Sequence, residues 1–429
     1  MRWAALAAAL ALAAAGGAGA RSSATAPVLG ANFIHIEDTP PWCHGVGVVY
    51  HYDLSGVRQY VRWQLAAMRA AGLRALRLVF YHSSDGDEWN IMPSSGGRLA
   101  EPYRTNLIRY LGDVRAAGFE SLTIAFNPWY SNDPIGYTNT PYDPSKFEEN
   151  WQLIRDVRPL VKEYGPATTR VDLINEGAPD WWTPVLRDYS AEMWKRYVDA
   201  FGGEDATISV IVKTEEGGTF ARLPNLVDAL RATGRALPTW FDIHPSFAAS
   251  AALADLRGVD DYLTRQQLTQ PLVIGEEVYD NAETAAAIAT FMRTSSRPVL
   301  EVMEWPLSRT GTIFETCPTV PYRIAAYASA LTDIEPYTLD ARVSGGASTL
   351  TSAGARVTAL GAGVYSVVVH DASSRDGFRL VGPRFDRRTK ARFRGTVTWR
   401  IRLQHYDVLR YGLLRGTLKP VKVLGNGGA

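Results

Sequence analysis

Most of this sequence lacks both an excess of charge and long apolar runs. Its 429 residues include 45 Lys and Arg against 44 Asp and Glu, a formal net charge of +1 at pH 7. This balance argues against a nucleic-acid or anionic-membrane partner, for which a basic excess is expected. Beyond the N-terminal segment, no stretch is long and apolar enough to span a bilayer. These absences favour a soluble protein.

The one clearly apolar run is at the N-terminus. Met1-Arg2-Trp3 precedes a run of Ala and Leu that ends in small residues, Gly16 to Ala20. This is the pattern of a secretory signal peptide, residues 1–20, with cleavage after Ala20. A membrane anchor is the alternative, but it needs about 20 apolar residues and this run is shorter. We therefore expect a secreted, extracellular protein without a transmembrane segment.

From residue 28, strand and helix patterns alternate eight times with few gaps. Strict alternation of this kind predicts a parallel sheet closed into a (β/α)8 barrel, here residues 28–335. The length of the chain suits one such barrel plus a smaller domain. The predicted strands are Val28–Ile36, Ala75–Phe80, Ser121–Phe126, Val171–Asn175, Thr207–Lys213, Thr239–Ile243, Pro271–Gly275 and Val299–Met303.

Cysteine is also scarce, with only Cys43 and Cys317 in the chain. In an exported protein such a pair is more often bridged than free. Closure of the barrel would place the first and eighth strands side by side, so the loops that carry the two cysteines would become neighbours. We therefore expect a disulfide between Cys43 and Cys317.

Two of the predicted strands end on carboxylates. The run from Val171 stops at Asn175-Glu176, and the run from Pro271 stops at Glu276-Glu277. In an α/β barrel the C-terminal strand ends form the open face where chemistry takes place. Two acids at two strand ends suggest glycoside hydrolysis, which needs one acid for the leaving oxygen and one carboxylate opposite it.

Other strand ends carry side chains suited to a sugar subsite. Arg77 lies within the apolar second strand, where a cation costs several kcal/mol unless a barrel-interior carboxylate pairs with it. Aromatic faces in the loops after strands suit stacking on pyranose rings, although they also fold long loops together. The candidate substrate-binding residues at strand ends and in these loops are Asn127, Trp129, Asn175, Trp181, His244 and Trp305.

Together, the order of these residues along eight strands resembles clan A of the retaining glycoside hydrolases. Glycoside hydrolase family 5, the cellulase and mannanase group, is the most similar. The resemblance covers about residues 28 to 335 and implies that Glu176 is the acid/base, Glu276 the nucleophile and Asn175 the ligand of the sugar 2-hydroxyl. The family's arginine, histidine and stacking tryptophan correspond to Arg77, His244 and Trp305.

The chain departs from the family at one position and is ambiguous at others. Position 246 is Ser, where the family often has a Tyr that is hydrogen-bonded to the nucleophile. Because strand side chains alternate faces, only one of Glu276 and Glu277 can point at the sugar. We prefer Glu276 because Gly275-Glu276 matches the family's dipeptide. Either acid could instead be a structural partner of Arg77. His244 could be a satisfied structural histidine, and Trp305 could plug the core.

After the barrel, the pattern changes to short period-two strands, which predict a small β-sandwich over residues 338–429. The stretch from Ala362 to Trp399 resembles exported cupredoxin-like domains. Asp376 stands where the copper-binding His would be, and no Cys follows Tyr411, where Leu413 lies nearby. Blue copper needs His, Cys and His. We therefore expect no metal or cofactor, and a domain that is a structural cap or a binder of carbohydrate or surfaces.

The sequence thus favours a secreted retaining glycosidase that acts on a β-linked poly- or oligosaccharide as a monomer. The alternative is a barrel that binds carbohydrate or cell wall without turnover, with the β domain as an adhesion module. The paired carboxylates favour the enzyme, since a pure binder has no need of acids on strands four and seven.

Overall fold

The computed structural model describes most of the two predicted domains. It covers residues 26–33, 35–36, 46–86, 91–134, 142–179, 185–212, 222–295, 297–305, 324–331, 337–352, 354–360, 363–403 and 407–423. The predicted signal peptide, both cysteines and Trp181 lie outside these ranges, so the expected disulfide does too. No helix in the described part of the chain has the length and apolarity that crossing a membrane requires.

Eight parallel strands form a closed barrel, which confirms the predicted (β/α)8 fold. Strand one pairs with strands two and eight, and each later strand pairs with the next. Strand five has two parts: the first pairs with strand four and the second with strand six. The ring therefore closes through Ile208 and Ser209, which join these parts. The strands are Val28–Asn32, Ala75–Ser83, Ser121–Pro128, Thr168–Asp172, Ala206–Thr207 with Val210–Val212, Phe241–Pro245, Leu272–Glu277 and Val299–Glu304.

Helices cover the outside of the barrel because each has an apolar side. In the first helix, Val57, Val61, Leu65 and Met68 recur every three or four residues and are buried. The third helix begins where the side chain of Asp143 accepts hydrogen bonds from the first free backbone N–H groups. The barrel helices are Val57–Ala70, Tyr103–Ala116, Pro144–Tyr164, Val185–Phe201, Arg222–Ala232, Ala249–Arg265, Ala282–Thr294 and Ala325–Leu331.

Two predicted strands end earlier than expected. Strand one stops at Asn32, and His35–Ile36 pairs with Val46–Gly47 in a separate ribbon. Strand four stops at Asp172 instead of Asn175. The chain nevertheless continues along the barrel, since Leu173 N donates to Thr207 O at 2.9 Å and Asn175 N to Phe126 O at 2.7 Å. The predicted strand, Val171–Asn175, was therefore placed three residues too far along the chain, although its polar end still reaches the rim.

The C-terminal residues form a β-sandwich with its own apolar core. Two five-stranded sheets face each other across this core. The first sheet contains Tyr337–Ser344, Ala347–Ser352, Ala355–Arg356, Gly363–Asp371 and Gly395–Leu403. The second contains Ala359–Leu360, Phe378–Gly382, Phe385–Arg388, Val408–Leu413 and Lys419–Val423. The likeness to cupredoxins stays a prediction.

The first of these sheets is the one that contacts the barrel. Its strand Gly363–Asp371 contacts the barrel helix Ala282–Thr294. Arg402 Nη2 lies 2.6 Å from Asp260 Oδ2, and the same carboxylate also pairs with Arg297. The second sheet therefore lies on the far side of the sandwich from the barrel.

Gly30 in strand one tests how tightly the barrel is packed. A Cβ there would lie 2.6 Å from the carbonyl oxygen of Ala75 and 2.3 Å from Met303 Sδ. We expect Gly30→Ala to lower the free energy of unfolding by about 1–3 kcal/mol, the usual cost of overpacking. Urea unfolding measures the change.

Gly112→Ala is the matched control, because a Cβ at this helical position meets nothing within 4 Å. Replacing a helical glycine should raise the free energy of unfolding by roughly 0.5–1 kcal/mol. Equal effects of the two substitutions would contradict the close approach at Gly30.

Candidate active site

Arg77 joins the strand ends that carry the predicted site. Its side chain is fully buried in strand two. Nη1 donates to Glu276 Oε1 at 2.9 Å and to Asn32 Oδ1 at 3.1 Å. Nη2 donates to Asn175 Oδ1 at 2.6 Å and to Asp172 Oδ2 at 3.1 Å. One guanidinium thus fixes side chains from strands one, four and seven and from the turn after strand four.

Three carboxylates balance the buried charge of Arg77. It forms ion pairs with Asp172, Asp242 and Glu276, so the partner that the sequence required is supplied three times. Burial opposes the charged guanidinium, but these carboxylates outweigh that effect and raise the pKa of Arg77 above its usual value. Burial also raises the pKa of Asp172 to about 7, against the pull of Arg77. The centre of the barrel therefore holds charges that depend on one another.

Glu276 is the acid of strand seven that faces this network. Only 8% of its surface is exposed, and its Oε1 is also 3.5 Å from His244 Nδ1. Burial raises the pKa of Glu276, while His244 and Arg77 oppose the rise. A cation this close favours the anionic form of Glu276. Burial nevertheless raises the pKa of Glu276 by more than His244 and Arg77 lower it.

Glu277 lies on the other face of the same strand. It is fully buried, and burial raises its pKa well above the usual value. Its charge acts on Tyr327 in the last barrel helix, which places it toward the helix layer. The alternation of strand side chains therefore separates the two acids, and Glu276 is the one at the rim.

Glu176 lies in a tight turn after strand four. Its φ is +54°, a left-handed conformation that costs a residue with a side chain about 1–3 kcal/mol. Its backbone N–H donates to Ser209 Oγ at 2.7 Å, and Ser209 N donates to Asp172 Oδ1 at 2.9 Å. These bonds hold the turn in place. The side chain of Glu176 is 32% exposed, which leaves it open to a substrate.

His244 connects the two rim acids. Its Nδ1 is 3.0 Å from Glu176 Oε1 and 3.5 Å from Glu276 Oε1, and its Nε2 is 3.6 Å from Asp242 Oδ1. Burial opposes the charged ring, but Glu276, Asp242 and Glu176 outweigh it and raise the pKa of His244 to about 10. At neutral pH, His244 is therefore an imidazolium between two carboxyl groups.

Gly275 makes the pairing of Asp242 with His244 possible. A Cβ at position 275 would lie 2.1 Å from Asp242 Oδ1 and 2.8 Å from His244 Nε2. Any larger residue would push these two side chains away from each other or from Arg77. The Gly275-Glu276 dipeptide, which the sequence offered only as a family resemblance, thus has a packing reason.

Three of the predicted substrate-binding residues lie around the side chain of Tyr81. Trp305 packs with Tyr81 against Val79 and Ala125 at the top of the barrel interior. Trp129 is 42% exposed, and its ring meets Tyr81 edge-on at 5.5 Å. Asn127 is half-buried and interacts with the hydroxyl of Tyr81. The structure therefore brings Trp305, Trp129 and Asn127 together around Tyr81.

Four residues of this site were missed by the sequence reasoning: Asn32, Tyr81, Asp172 and Asp242. A period-two pattern could have found two of them. Tyr81 lies four residues after Arg77 and Asp242 two before His244, so each shares a strand face with a predicted site residue. The acids Glu276 and Glu176 act on Tyr81, whose pKa burial and these charges raise to about 12. Position 246, where the family often has a Tyr, holds a buried Ser.

One oxygen each of Glu176 and Glu276 and one ring nitrogen of His244 lie within 4.8 Å of one another. Such a group could in principle bind a divalent ion. A ligand histidine must be neutral, however, whereas His244 has a raised pKa and the cation Arg77 lies beside Glu276. The positive charges of His244 and Arg77 therefore oppose binding of a cation by these three side chains.

No protein-family model matches this chain, and no curated protein does. Among solved structures it is similar to an endo-β1,6-glucanase (TM-score 0.47, 11% identity, 88% of this chain and 92% of that chain). It is also similar to an endo-1,4-β-mannanase from Rhizomucor miehei, with a TM-score of 0.45 and 12% identity over 72% of this chain and 93% of that chain. A family 30 endoxylanase from Clostridium papyrosolvens C71 has a TM-score of 0.41 and 13% identity over 91% of this chain and 96% of that chain. These likenesses are too distant to carry an assignment of activity.

Replacing Asp242 should change the protonation of His244. Asp242→Asn removes a negative charge next to Nε2, so we expect the pKa of His244 to fall from about 10. An NMR titration of the His244 ring measures the shift. Backbone amide signals of the β domain are the internal control and should be the same in both proteins. An unchanged His244 titration would contradict the role of Asp242.

The same ring gives stability a pH dependence of known sign. The pKa of His244 is about 10 in the folded protein against an ordinary value of 6.5. Its contribution to the free energy of unfolding is therefore complete below about pH 6.5 and is lost as the pH rises towards 10. We expect this loss to be smaller in Asp242→Asn.

Proposed function

We propose that this protein is a glycoside hydrolase that cleaves a β-linked glycan with retention of configuration. The observation that carries the proposal is the pair Glu176 and Glu276, which share one rim and have carboxylate oxygens within 4.8 Å of each other. Retaining enzymes place their two carboxyl groups about 5–5.5 Å apart, whereas inverting enzymes leave room for a water between them.

The reaction uses each acid in turn. Glu276 attacks the anomeric carbon and forms a glycosyl ester, while Glu176 gives its proton to the leaving oxygen as the glycosidic bond breaks. Glu176 then takes a proton from water, the resulting hydroxide attacks the anomeric carbon, and Glu276 leaves as a carboxylate. The ring of His244 lies 3.0 Å from Glu176 Oε1 and holds that carboxyl group in place at the rim.

Arg77 also fixes the orientation of Asn175. A guanidinium has only donors, so the Asn175 atom that it contacts at 2.6 Å must be the amide oxygen. The amide nitrogen is then left to donate to a sugar hydroxyl. This supports the role of 2-hydroxyl ligand that the family resemblance implies.

The exposed rings near the acids favour an oligosaccharide or polysaccharide substrate. Trp129 and Trp305 lie beside Tyr81, and the charges of both acids act on the hydroxyl of Tyr81. Such rings can stack on the C–H faces of sugars. Trp181, in the loop after strand four, is proposed as a further platform. A barrel that binds glycan without turnover is the second candidate, and the exposed Trp129 fits it equally well.

We also propose that the mature protein is secreted, because residues 1–20 have the pattern of a signal peptide. An oxidising compartment would then allow the predicted bridge between Cys43 and Cys317. Mass spectrometry of exported protein tests both points. An N-terminus at Met1 would contradict cleavage, and two free thiols would contradict the bridge.

Chemical rescue separates the roles of the two acids. We expect Glu276→Ala to abolish turnover of an activated aryl glycoside, and azide to restore part of it with a product of inverted configuration. Glu176→Ala should slow substrates with poor leaving groups by about 10²–10⁴-fold, because only these need protonation. Azide should then give a glycosyl azide of retained configuration. Kinetics and NMR of the products measure both effects.

Glu277→Gln is the matched control. It changes the adjacent acid, which lies on the opposite face of the strand. The raised pKa of Glu277 favours the uncharged carboxylic acid, and glutamine is also uncharged. Its activity should stay close to that of the wild type. Wild-type rates in both Glu276→Ala and Glu176→Ala would refute the assignment of these residues. Glycan binding without hydrolysis across a broad substrate screen would favour the second candidate.

A further inference from the structure

The near-zero net charge of this chain is the average of two oppositely charged parts. Residues 1–336 contain 29 Lys and Arg against 39 Asp and Glu, a net charge of −10. Residues 337–429 contain 16 Lys and Arg against 5 Asp and Glu, a net charge of +11. The balance that argued against an anionic partner therefore does not hold for the β domain.

The positive charge is concentrated on the second sheet and its edge. Residues 378–422 contain 13 Lys and Arg and only two acids, Asp386 and Asp407. In this sheet Leu380, Leu409 and Val421 are buried in the core. The residues that alternate with them therefore point away from the core, and these include Arg379, Arg410 and Lys422.

An exposed basic loop continues this surface. The edge strand Phe385–Arg388 runs directly into it, and from Arg387 to Arg394 five of eight residues are Lys or Arg and none is acidic. We use the term basic face for the exposed residues Arg388, Lys390, Arg392, Arg394, Arg410 and Lys422. Arg388, Arg410 and Lys422 lie on the sheet that is far from the barrel. The other three cations lie in the exposed loop that leads from this sheet to the first one, so the basic face is open to a large partner.

Little within the domain compensates this charge. The two nearby acids are already paired, Asp386 with Arg379 at 2.8 Å and Asp407 with Arg384 at 2.8 Å. Within the described ranges, no carboxylate forms an ion pair with any member of the basic face. Arg379 and Arg388 are also directly opposite each other across neighbouring strands, where like charges are destabilising, and the single carboxylate of Asp386 acts on both of them. A polyanion would relieve the repulsion.

The shape and composition of the surface narrow the class of polyanion. Single-stranded nucleic acids need aromatic rings on which bases stack, and membrane binding needs apolar side chains that insert. The large hydrophobic residues that are well exposed in the described chain are Leu54, Trp63, Trp129 and Phe247, and all four lie in the barrel. The one aromatic residue of the basic loop, Phe393, is half-buried. Arginine forks suit planar carboxylates and other oxyanions. Anionic groups on a polar backbone fit this surface best.

We propose that the basic face binds an acidic polysaccharide, a chain that carries carboxylate or sulfate groups. The choice of a polysaccharide over other polyanions also rests on the proposed function of the barrel. Binding itself requires no catalysis. The β domain would hold the protein on an acidic glycan while the rim of the barrel acts on the same or a neighbouring chain.

The experiment compares polymers and variants of the full-length protein. The binding partners are dextran sulfate, polygalacturonate and, as an uncharged match for the first, neutral dextran. Duplex DNA, single-stranded DNA and anionic phospholipid vesicles are the competing polyanions, used at equal concentration of charge. The variant replaces four cations of the basic face, Arg388→Gln, Lys390→Gln, Arg392→Gln and Arg394→Gln. The control replaces four exposed barrel arginines by Gln, at Arg98, Arg109, Arg155 and Arg187.

We expect the wild type to bind both acidic polysaccharides and not neutral dextran. The basic-face variant should bind about a hundredfold more weakly, with a shallower dependence of affinity on salt, because fewer counterions are displaced. The barrel control should bind like the wild type. Circular dichroism and thermal unfolding check that both variants fold. A variant that does not fold is replaced by its four single substitutions.

Three results would overturn the proposal. They are failure of the wild type to bind either acidic polysaccharide at about 50 mM salt, equal loss of binding in variant and control, and tighter binding of DNA or vesicles than of both polysaccharides. Glu276→Gln separates this proposal from that of the barrel, since it should bind like the wild type. Binding without hydrolysis of any glycan would count against the glycosidase alone. Hydrolysis of a neutral aryl glycoside without polyanion binding would count against the basic face alone.

Discussion

The buried guanidinium of Arg77 is the interaction on which the candidate site depends. It lies in a barrel interior where an isolated cation would be strongly disfavoured, and side chains from four strands and the turn after strand four surround it. Removing any one of the three carboxylates would change the balance of charge around Arg77. The same contacts that neutralise Arg77 also position Glu276 and orient the amide of Asn175. Stabilisation of the charge and organisation of the site therefore come from one set of contacts.

Acidic side chains near both ring nitrogens favour the protonated form of His244. Asp242 approaches Nε2 while Glu176 and Glu276 lie near Nδ1, so the ring is surrounded by acids on both sides. Gly275 leaves the space in which Asp242 and His244 meet. A glycine on strand seven thereby affects the charge of a histidine on the neighbouring strand six. The absence of a side chain at position 275 therefore contributes to the electrostatics of the site.

The two domains differ in charge as well as in fold. The barrel part is acidic and the β domain is basic, and Arg402 with Asp260 forms one contact between these opposite signs. That contact uses the sheet that faces the barrel, whereas the basic face lies on the other sheet and on the exposed loop that connects the two sheets. Charge on the second sheet is therefore available for a partner outside the protein. A whole-chain net charge conceals this division completely.

The sequence by itself determined the barrel, the β domain and the strand ends that carry Glu176, Glu276 and His244, because alternating periodicity and chain order are local properties. It preferred Glu276 over Glu277 only through a family resemblance, and it missed Asp172 and Asp242. It also placed strand four three residues too far along the chain, since Leu173 and Ile174 are apolar but lie in the bend at the rim. Tertiary structure decided these points. The contacts of Arg77 and His244 join strands up to 199 residues apart, and only the closure and register of the barrel determine which of their side chains meet.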